Sequence, residues 1–321
     1  MIEAMQRFQI ERREKLSRDS FHQEFLSGAG KPVIVTDAME GWPALSKWSF
    51  DFFKTQYGAD TVVVRPGLDS KATRVMKLAD YIDYVESPEG IAGGFWIDLA
   101  TGLPLSEPPE HPTLPLYLYL WNPVVEHPEL LEDVEVTPYF VEDWMRLLTP
   151  STRELLRWAN KPYYWVLVGP EGACARLHQD FGGTHAYLAQ VAGRKKCILF
   201  SPAESELIYH GKIDPEQPDF TRFPLLRKAR LFEGILEPGE MLFMPAGWWH
   251  YVRVLEKSIT FSYDFFNREN FGLYFEEFIK GLPGTLGAFE KSPELRATMG
   301  IKWMCRGFEP AESKTGRKKE K

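Results

Sequence analysis

His178-Gln-Asp-Phe-Gly-Gly-Thr-His-Ala-Tyr-Leu-Ala-Gln-Val-Ala-Gly-Arg-Lys-Lys-Cys-Ile-Leu-Phe-Ser-Pro202 contains two short apolar runs, Tyr187–Val191 and Lys196–Phe200, separated by Gly193 and closed by Pro202. Runs of this length, bounded by glycine and proline, read as strands. Working outward, Tyr163-Tyr-Trp-Val-Leu-Val168, Met241-Leu-Phe-Met244 and Ser258-Ile-Thr-Phe-Ser-Tyr263 repeat the pattern, with Gly169-Pro170, Pro238-Gly239, Pro245 and Gly247 as punctuation. Closely spaced short strands of this kind predict a sandwich or barrel rather than a parallel sheet.

Helical signals flank this β core. To about residue 60 the chain reads as helix, strand, helix. Lys31-Pro-Val-Ile-Val-Thr36 is a β-branched run behind a proline, which suits an edge strand. Ser49 is placed to cap a helix through Phe52, Phe53 and Tyr57 that Gly58 ends, and Thr61-Val-Val-Val-Arg65 is a further strand. Five prolines in residues 101–115 make an irregular connector. Residues 139–158 and 271–282 carry apolar side chains near a 3.6 period.

Composition sets the class. With 321 residues, 44% of them hydrophobic and 26% charged, the chain is that of a globular protein, not of a disordered one. Its 38 basic and 45 acidic residues leave a net charge of 38 − 45 = −7, which disfavours nucleic acid as a partner. No apolar run is long enough to span a membrane, and the charged N-terminus lacks the apolar core of a secretory signal. Three scattered cysteines (Cys174, Cys197, Cys305) spell neither a disulfide framework nor a zinc motif, so a reducing, cytoplasmic setting is expected.

Two of the seven histidines have informative neighbours. His178 and Asp180 are two residues apart, a spacing that puts both side chains on one face of a strand. His250 closes Gly247-Trp-Trp-His250, 72 residues later. Two imidazoles and one carboxylate form the donor set of a non-haem iron(II) facial triad. On these residues alone, a strand-end His–Asp hydrogen bond beside an unrelated core histidine serves as well.

The wider context resembles a known family. The opening stretch, together with Leu236-Glu-Pro-Gly-Glu-Met-Leu-Phe-Met-Pro-Ala-Gly-Trp-Trp-His250, is similar to the JmjC and cupin-like 2-oxoglutarate oxygenases. So are Gly30-Lys-Pro-Val-Ile-Val-Thr-Asp37, Gly41-Trp-Pro-Ala44 and Lys47-Trp48-Ser49. The resemblance covers roughly residues 25–270. It implies a double-stranded β-helix, a mainly β jelly-roll barrel with helical flanks. The implied division is an N-terminal flank at 1–110, a catalytic barrel at 111–270, C-terminal helices at 271–310 that would form a homodimer, and a basic tail at 311–321.

The resemblance also implies roles. His178, Asp180 and His250 match the iron(II) ligands, and Lys195 matches the lysine that pairs with the distal carboxylate of 2-oxoglutarate. Tyr117 resembles the tyrosine that donates to the same carboxylate, with Tyr119 as the substitute. Ser262 matches a position where relatives carry threonine. Lys196 alternates to the other face, where a solvated lysine is expected. Ala175-Arg176 stands where the family has a Thr/Ser-Pro pair, and Asp264 where asparagine is common. Thr184 and His185 are expected to pack behind the ligands. The implied activity is an iron(II)- and 2-oxoglutarate-dependent dioxygenase that consumes O₂, releases succinate and CO₂, and hydroxylates a protein, peptide or small molecule. Two rivals stay open: a metal-binding cupin that uses no 2-oxoglutarate, such as an isomerase, and a catalytically silent binding module.

Overall fold

The computed structural model describes residues 5–67, 72–88, 93–98, 103–105, 115–135, 139, 142–144, 164–180 and 183–276. Most of the expected 139–158 helix, most of the proline-rich connector, most of the C-terminal helices and the basic tail lie outside them. In the 271–310 region only residues 271–276 are described, and they are helical.

The chain opens with β1 (Gln6–Gln9) and β2 (Glu11–Arg13), where a helix was expected; the first helix, α1 (Arg18–Phe21), continues into a π-helical turn at His22–Leu26. β1 pairs in parallel with Arg230–Glu233, far along the chain, and β2 with Val33–Val35, so sheet pairing overrides the local preference. After β3 (Val33–Val35) come α2 (Ala44–Lys47) and α3 (Phe50–Tyr57). The Ser49 hydroxyl accepts the Phe52 N–H at 3.0 Å, the cap that the sequence predicts. β4 (Thr61–Val64), β5 (Ala72–Lys77), α4 (Leu78–Glu86), β6 (Phe95–Asp98) and β7 (Leu118–Trp121) follow. The remaining strands are β8 (Tyr164–Gly169), β9 (Cys174–His178), β10 (His185–Ala192), β11 (Lys195–Phe200), β12 (Arg230–Leu236), β13 (Met241–Met244), β14 (Trp249–Val254) and β15 (Ser258–Phe265).

Two sheets carry the fold. One has the order β1-β12-β11-β14-β9 and the other β2-β3-β13-β10-β15-β8-β7, while β4-β5-β6 form a small third sheet. From β8 to β15 the chain passes back and forth between the two large sheets, which is the jelly-roll, cupin-like arrangement. The β3 run is not an edge strand as expected. β2 lies outside it and leaves Val33, Ile34 and Val35 buried.

Alternation divides each sheet into an inner and an outer face. On the outer face of the seven-stranded sheet, Tyr187, Phe243, Phe261, Tyr263 and Phe265 pack against Phe21, Phe25, Trp42, Trp48 and Phe53 from the N-terminal helices. Phe21 meets Phe243 edge-on at 4.9 Å, and Trp48 meets Phe261 at 6.1 Å. Each such buried aromatic side chain contributes about 1.5–3 kcal/mol. The outer face of the five-stranded sheet is covered by the segment between β11 and β12, where Ile208, Ile213 and Leu226 pack on Ile198, Phe200, Leu231 and Trp249. Both outer faces are therefore covered, and the inner faces enclose the space in which the site lies.

Candidate metal and co-substrate site

β9 and β14 bring the predicted ligands together. They are antiparallel neighbours, and His178 stands directly opposite His250. Their rings lie 4.1 Å apart between centroids. Asp180 is not on the strand, as the two-residue spacing had suggested: β9 ends at His178, and the chain turns so that the carboxylate swings toward both rings. Asp180 Oδ1 lies 3.9 Å from His178 Nε2 and 3.5 Å from His250 Nε2. One donor atom from each of the three residues fits within a span of 4.8 Å. Gln179 Nε2 donates to Gly247 O at 2.5 Å and so ties the turn after β9 to the loop before β14.

The tautomers follow from the backbone. A carbonyl oxygen can only accept, so His178 Nδ1–H donates to Arg176 O (2.6 Å) and His250 Nδ1–H to Trp248 O (3.2 Å). Each ring thus turns an Nε2 lone pair toward the Asp180 carboxylate, the arrangement that ligating imidazoles adopt. Burial, and then the neighbouring His250, lower the His178 pKa to about 4, so at neutral pH it offers a lone pair rather than a proton. The donor set fits a first-row divalent ion that keeps open positions.

β11 supplies the second element. Residues paired directly across an antiparallel ladder project to the same face. Leu199 pairs with His250 and Lys195 with Val254, so Lys195 and His250 share the inner face. Four residues of strand, about 13 Å, separate the two rows. That distance suits a lysine stem and a five-carbon diacid placed end to end. Gly193, at φ 67°, makes the turn that starts β11, and Gln190 Nε2 braces it by donating to the carbonyls of Ala192 (2.7 Å) and Gly193 (2.9 Å).

Lys195 is fully buried, and its Nζ donates to the Tyr117 hydroxyl at 2.8 Å. Burial lowers the lysine pKa from 10.5 to about 7 and raises that of Tyr117. Tyr117 rather than Tyr119 therefore makes this contact. Ser262 lies on the inner face opposite Leu188 and Trp165, and among the described residues its hydroxyl bonds to neither Lys195 nor Tyr117. Asp264 pairs with Ala186 on that same face.

Lys196 does alternate to the outer face, but it is not a free solvated lysine. Glu216 receives it at 3.0 Å, together with Arg253 Nε at 2.6 Å and the Tyr251 hydroxyl at 2.7 Å. The partner comes from a loop that local sequence does not register with β11. Thr184 and His185 are both buried, and His185 Nδ1 accepts the Ala246 N–H at 3.0 Å. Burial lowers the His185 pKa to about 3, so it stays neutral and holds the turn ahead of Trp248-Trp249-His250.

Residues 122–271 match the family model described as a cupin-like domain. These residues are a cupin-like domain of the JmjC type, with relatives named as JmjC demethylases and oxygenases. Lysine-specific demethylase JMJ21 of Arabidopsis thaliana is 29% identical over 276 residues, 82% of this chain and 26% of that protein. Lysine-specific demethylase 8 of Xenopus tropicalis is 30% identical over 246 residues, 73% of this chain and 47% of its own length. The 2-oxoglutarate and iron-dependent oxygenase JMJD4 of Gallus gallus is 24% identical over 278 residues, covering 80% and 60%. This chain thus spans less than two thirds of each of these relatives.

The described cysteines, Cys174 and Cys197, are free and buried. Among the described residues no helix is long and apolar enough to cross a membrane.

Proposed function

We propose that this protein is an iron(II)- and 2-oxoglutarate-dependent oxygenase that hydroxylates a C–H bond of a protein side chain or small molecule. The observation that carries this reading is the buried Lys195–Tyr117 pair on the inner face that also bears His250. A buried ammonium whose described hydrogen-bond partner is a neutral hydroxyl lacks a counter-charge, and a carboxylate is the ligand that supplies one. His178, Asp180 and His250 would hold the metal. When bound, iron couples dioxygen reduction to the decarboxylation of 2-oxoglutarate.

The chain's own residues prepare that chemistry. Lys195 and Tyr117 would grip the distal carboxylate and fix the diacid's direction along the inner face. The carbonyls of Arg176 and Trp248 orient the two rings before any ligand arrives. Cys197 and Leu199, which follow Lys195 on the inner face of β11, line the space with apolar groups. The demethylase names of the relatives fit the same step, because an N-methyl group hydroxylated at carbon releases formaldehyde. A cytoplasmic location accords with the free thiols of Cys174 and Cys197.

Succinate formation tests the reading. Full-length protein with Fe(II), ascorbate and 2-oxoglutarate should release succinate in air, and an anaerobic mixture should show a weak visible charge-transfer band. Absence of both, with the metal demonstrably bound, would favour a cupin that uses no 2-oxoglutarate.

A further inference from the structure

Arg65 follows β4 and pairs with Tyr117 in an isolated antiparallel bridge. Both backbone hydrogen bonds are made, Arg65 N–H to Tyr117 O at 3.2 Å and Tyr117 N–H to Arg65 O at 2.8 Å. Directly paired residues project to one face, so Arg65 shares the side of Tyr117, and Tyr119 two residues on shares it too. The guanidinium lies 5.0 Å from the centre of the Tyr119 ring, and the Tyr119 and Tyr117 rings are 5.5 Å apart. Tyr117 in turn receives Lys195. Arg65, Tyr119, Tyr117 and Lys195 therefore form a continuous row. Alternation along β4 also fixes the outer end of that row. Val62 and Val64 enter the outer core, while Val63, on the Arg65 side, is 40% exposed.

Arg65 is 8% exposed, and among the described residues its guanidinium meets no carboxylate and no hydrogen-bond acceptor. Other arginines of this protein are paired: Arg253 with Glu216, Arg230 with Glu204 and Arg7 with Glu233. Lysine can relieve burial by losing its proton, as Lys195 does, but arginine stays charged. Stacking on a tyrosine ring offsets part of the desolvation and fills none of the five N–H donors. No described residue supplies the anion that would complete such a group, and a bound ligand's carboxylate has the chemistry to do so.

We infer that Arg65 receives a carboxylate of the substrate, so that the preferred substrate is a peptide with an aspartate or glutamate at the recognised position. A lysine side chain, the group in the names of two relatives, would bring a like charge toward a desolvated guanidinium. This inference rests on the proposed reading that Lys195 and Tyr117 hold the co-substrate. The other source of a carboxylate is 2-oxoglutarate itself, and the test separates the two.

The experiment is calorimetric titration of the full chain with Mn(II) and 2-oxoglutarate present and dioxygen excluded. The probes are Gly-Ala-X-Ala-Gly peptides in which X is Asp, Glu, Lys or Arg. The acidic peptides should bind at least about tenfold more tightly than the basic ones. Arg65→Gln should abolish the preference and Arg65→Glu should reverse it, while Arg65→Gln leaves 2-oxoglutarate affinity within about twofold of wild type. Equal binding of acidic and basic peptides overturns the inference. So does an Arg65→Gln variant that weakens 2-oxoglutarate as much as Lys195→Met, because the carboxylate would then be the co-substrate's. Arg65→Gln should melt at or above the wild-type temperature; a fall of more than about 5 °C would assign the guanidinium to the fold instead. Wild-type protein that binds metal but no 2-oxoglutarate would sink the proposed function, and the peptide preference, measured with metal alone, would still judge Arg65.

Discussion

Binding of 2-oxoglutarate should drive a proton onto Lys195. The fully buried ammonium has a pKa lowered by desolvation from 10.5 to about 7. That difference of about 3.5 units corresponds to about 5 kcal/mol against the charged form. Between pH 7 and 10.5 the unfolded chain keeps this proton and the folded protein does not. The unfolded state therefore binds more protons there, and the ligand-free fold gains stability as pH rises through that window. Below pH 7 the cost is present in full, so ligand-free Lys195→Met should melt above wild type at pH 6, with the gap narrowing toward pH 10. A carboxylate against Nζ reverses the balance and restores the charged form. At pH 8 about a tenth of the lysine is protonated, so binding should take up about 0.9 proton, falling to about 0.1 at pH 6. Calorimetry of the Mn(II)-loaded protein in two buffers of different ionisation enthalpy reads this number directly. Lys195→Met should abolish the uptake and weaken 2-oxoglutarate by about 3 kcal/mol or more, over a hundredfold. Uptake that is flat from pH 6 to 8, or that survives in Lys195→Met, would refute the reasoning.

Three further outcomes are expected. His178→Ala and Asp180→Ala should lose stoichiometric Fe(II) in anaerobic equilibrium dialysis, since two remaining donors rarely hold such an ion against water; one equivalent retained by either variant would remove that residue from the ligand set. Burial alone would raise the Glu216 pKa, but hydrogen bonds from Arg253, Tyr251 and Lys196 pull it from 4.5 down to about 2. Its contribution to stability should therefore be present above pH 4.5 and lost as pH falls toward 2, and Glu216→Gln should cost about 1–3 kcal/mol in urea unfolding at pH 7 and nothing near pH 2. In Gly193→Ala the new Cβ would lie 2.2 Å from Lys257 O at a backbone φ of 67°, so a loss of at least about 2 kcal/mol should appear in the same assay.

Much of the barrel was legible because its signals are local. The β-branched and aromatic runs between glycines and prolines became β8, β10, β11, β13 and β15, and Ser49 caps α3 as its position before Phe50 implies. Residues singled out through the resemblance also come together in space: His178, Asp180 and His250 converge, and Lys195 meets Tyr117. The failures share one cause, which is pairing between distant segments. Gln6–Gln9 is charged and polar enough to pass for a helix start, yet the exposed edge of β12 turns it into a strand. Lys196 reads as a solvated lysine until Glu216, 20 residues away, reaches it from a loop.

By itself, then, the sequence determined where most strands of the barrel lie and which of their residues alternate to one face. Each of these depends on a period or a turn residue within a few positions. Tertiary structure alone decided what those faces look upon. The β9–β14 register sets His178 against His250 across 72 residues, and the turn past β9 rather than strand alternation brings in Asp180. The Arg65–Tyr117 bridge likewise carries a charge from the small third sheet into the row that ends at Lys195. Such contacts leave no periodic trace, because backbone hydrogen bonding is indifferent to side-chain identity and register is chosen by the burial of the whole sheet.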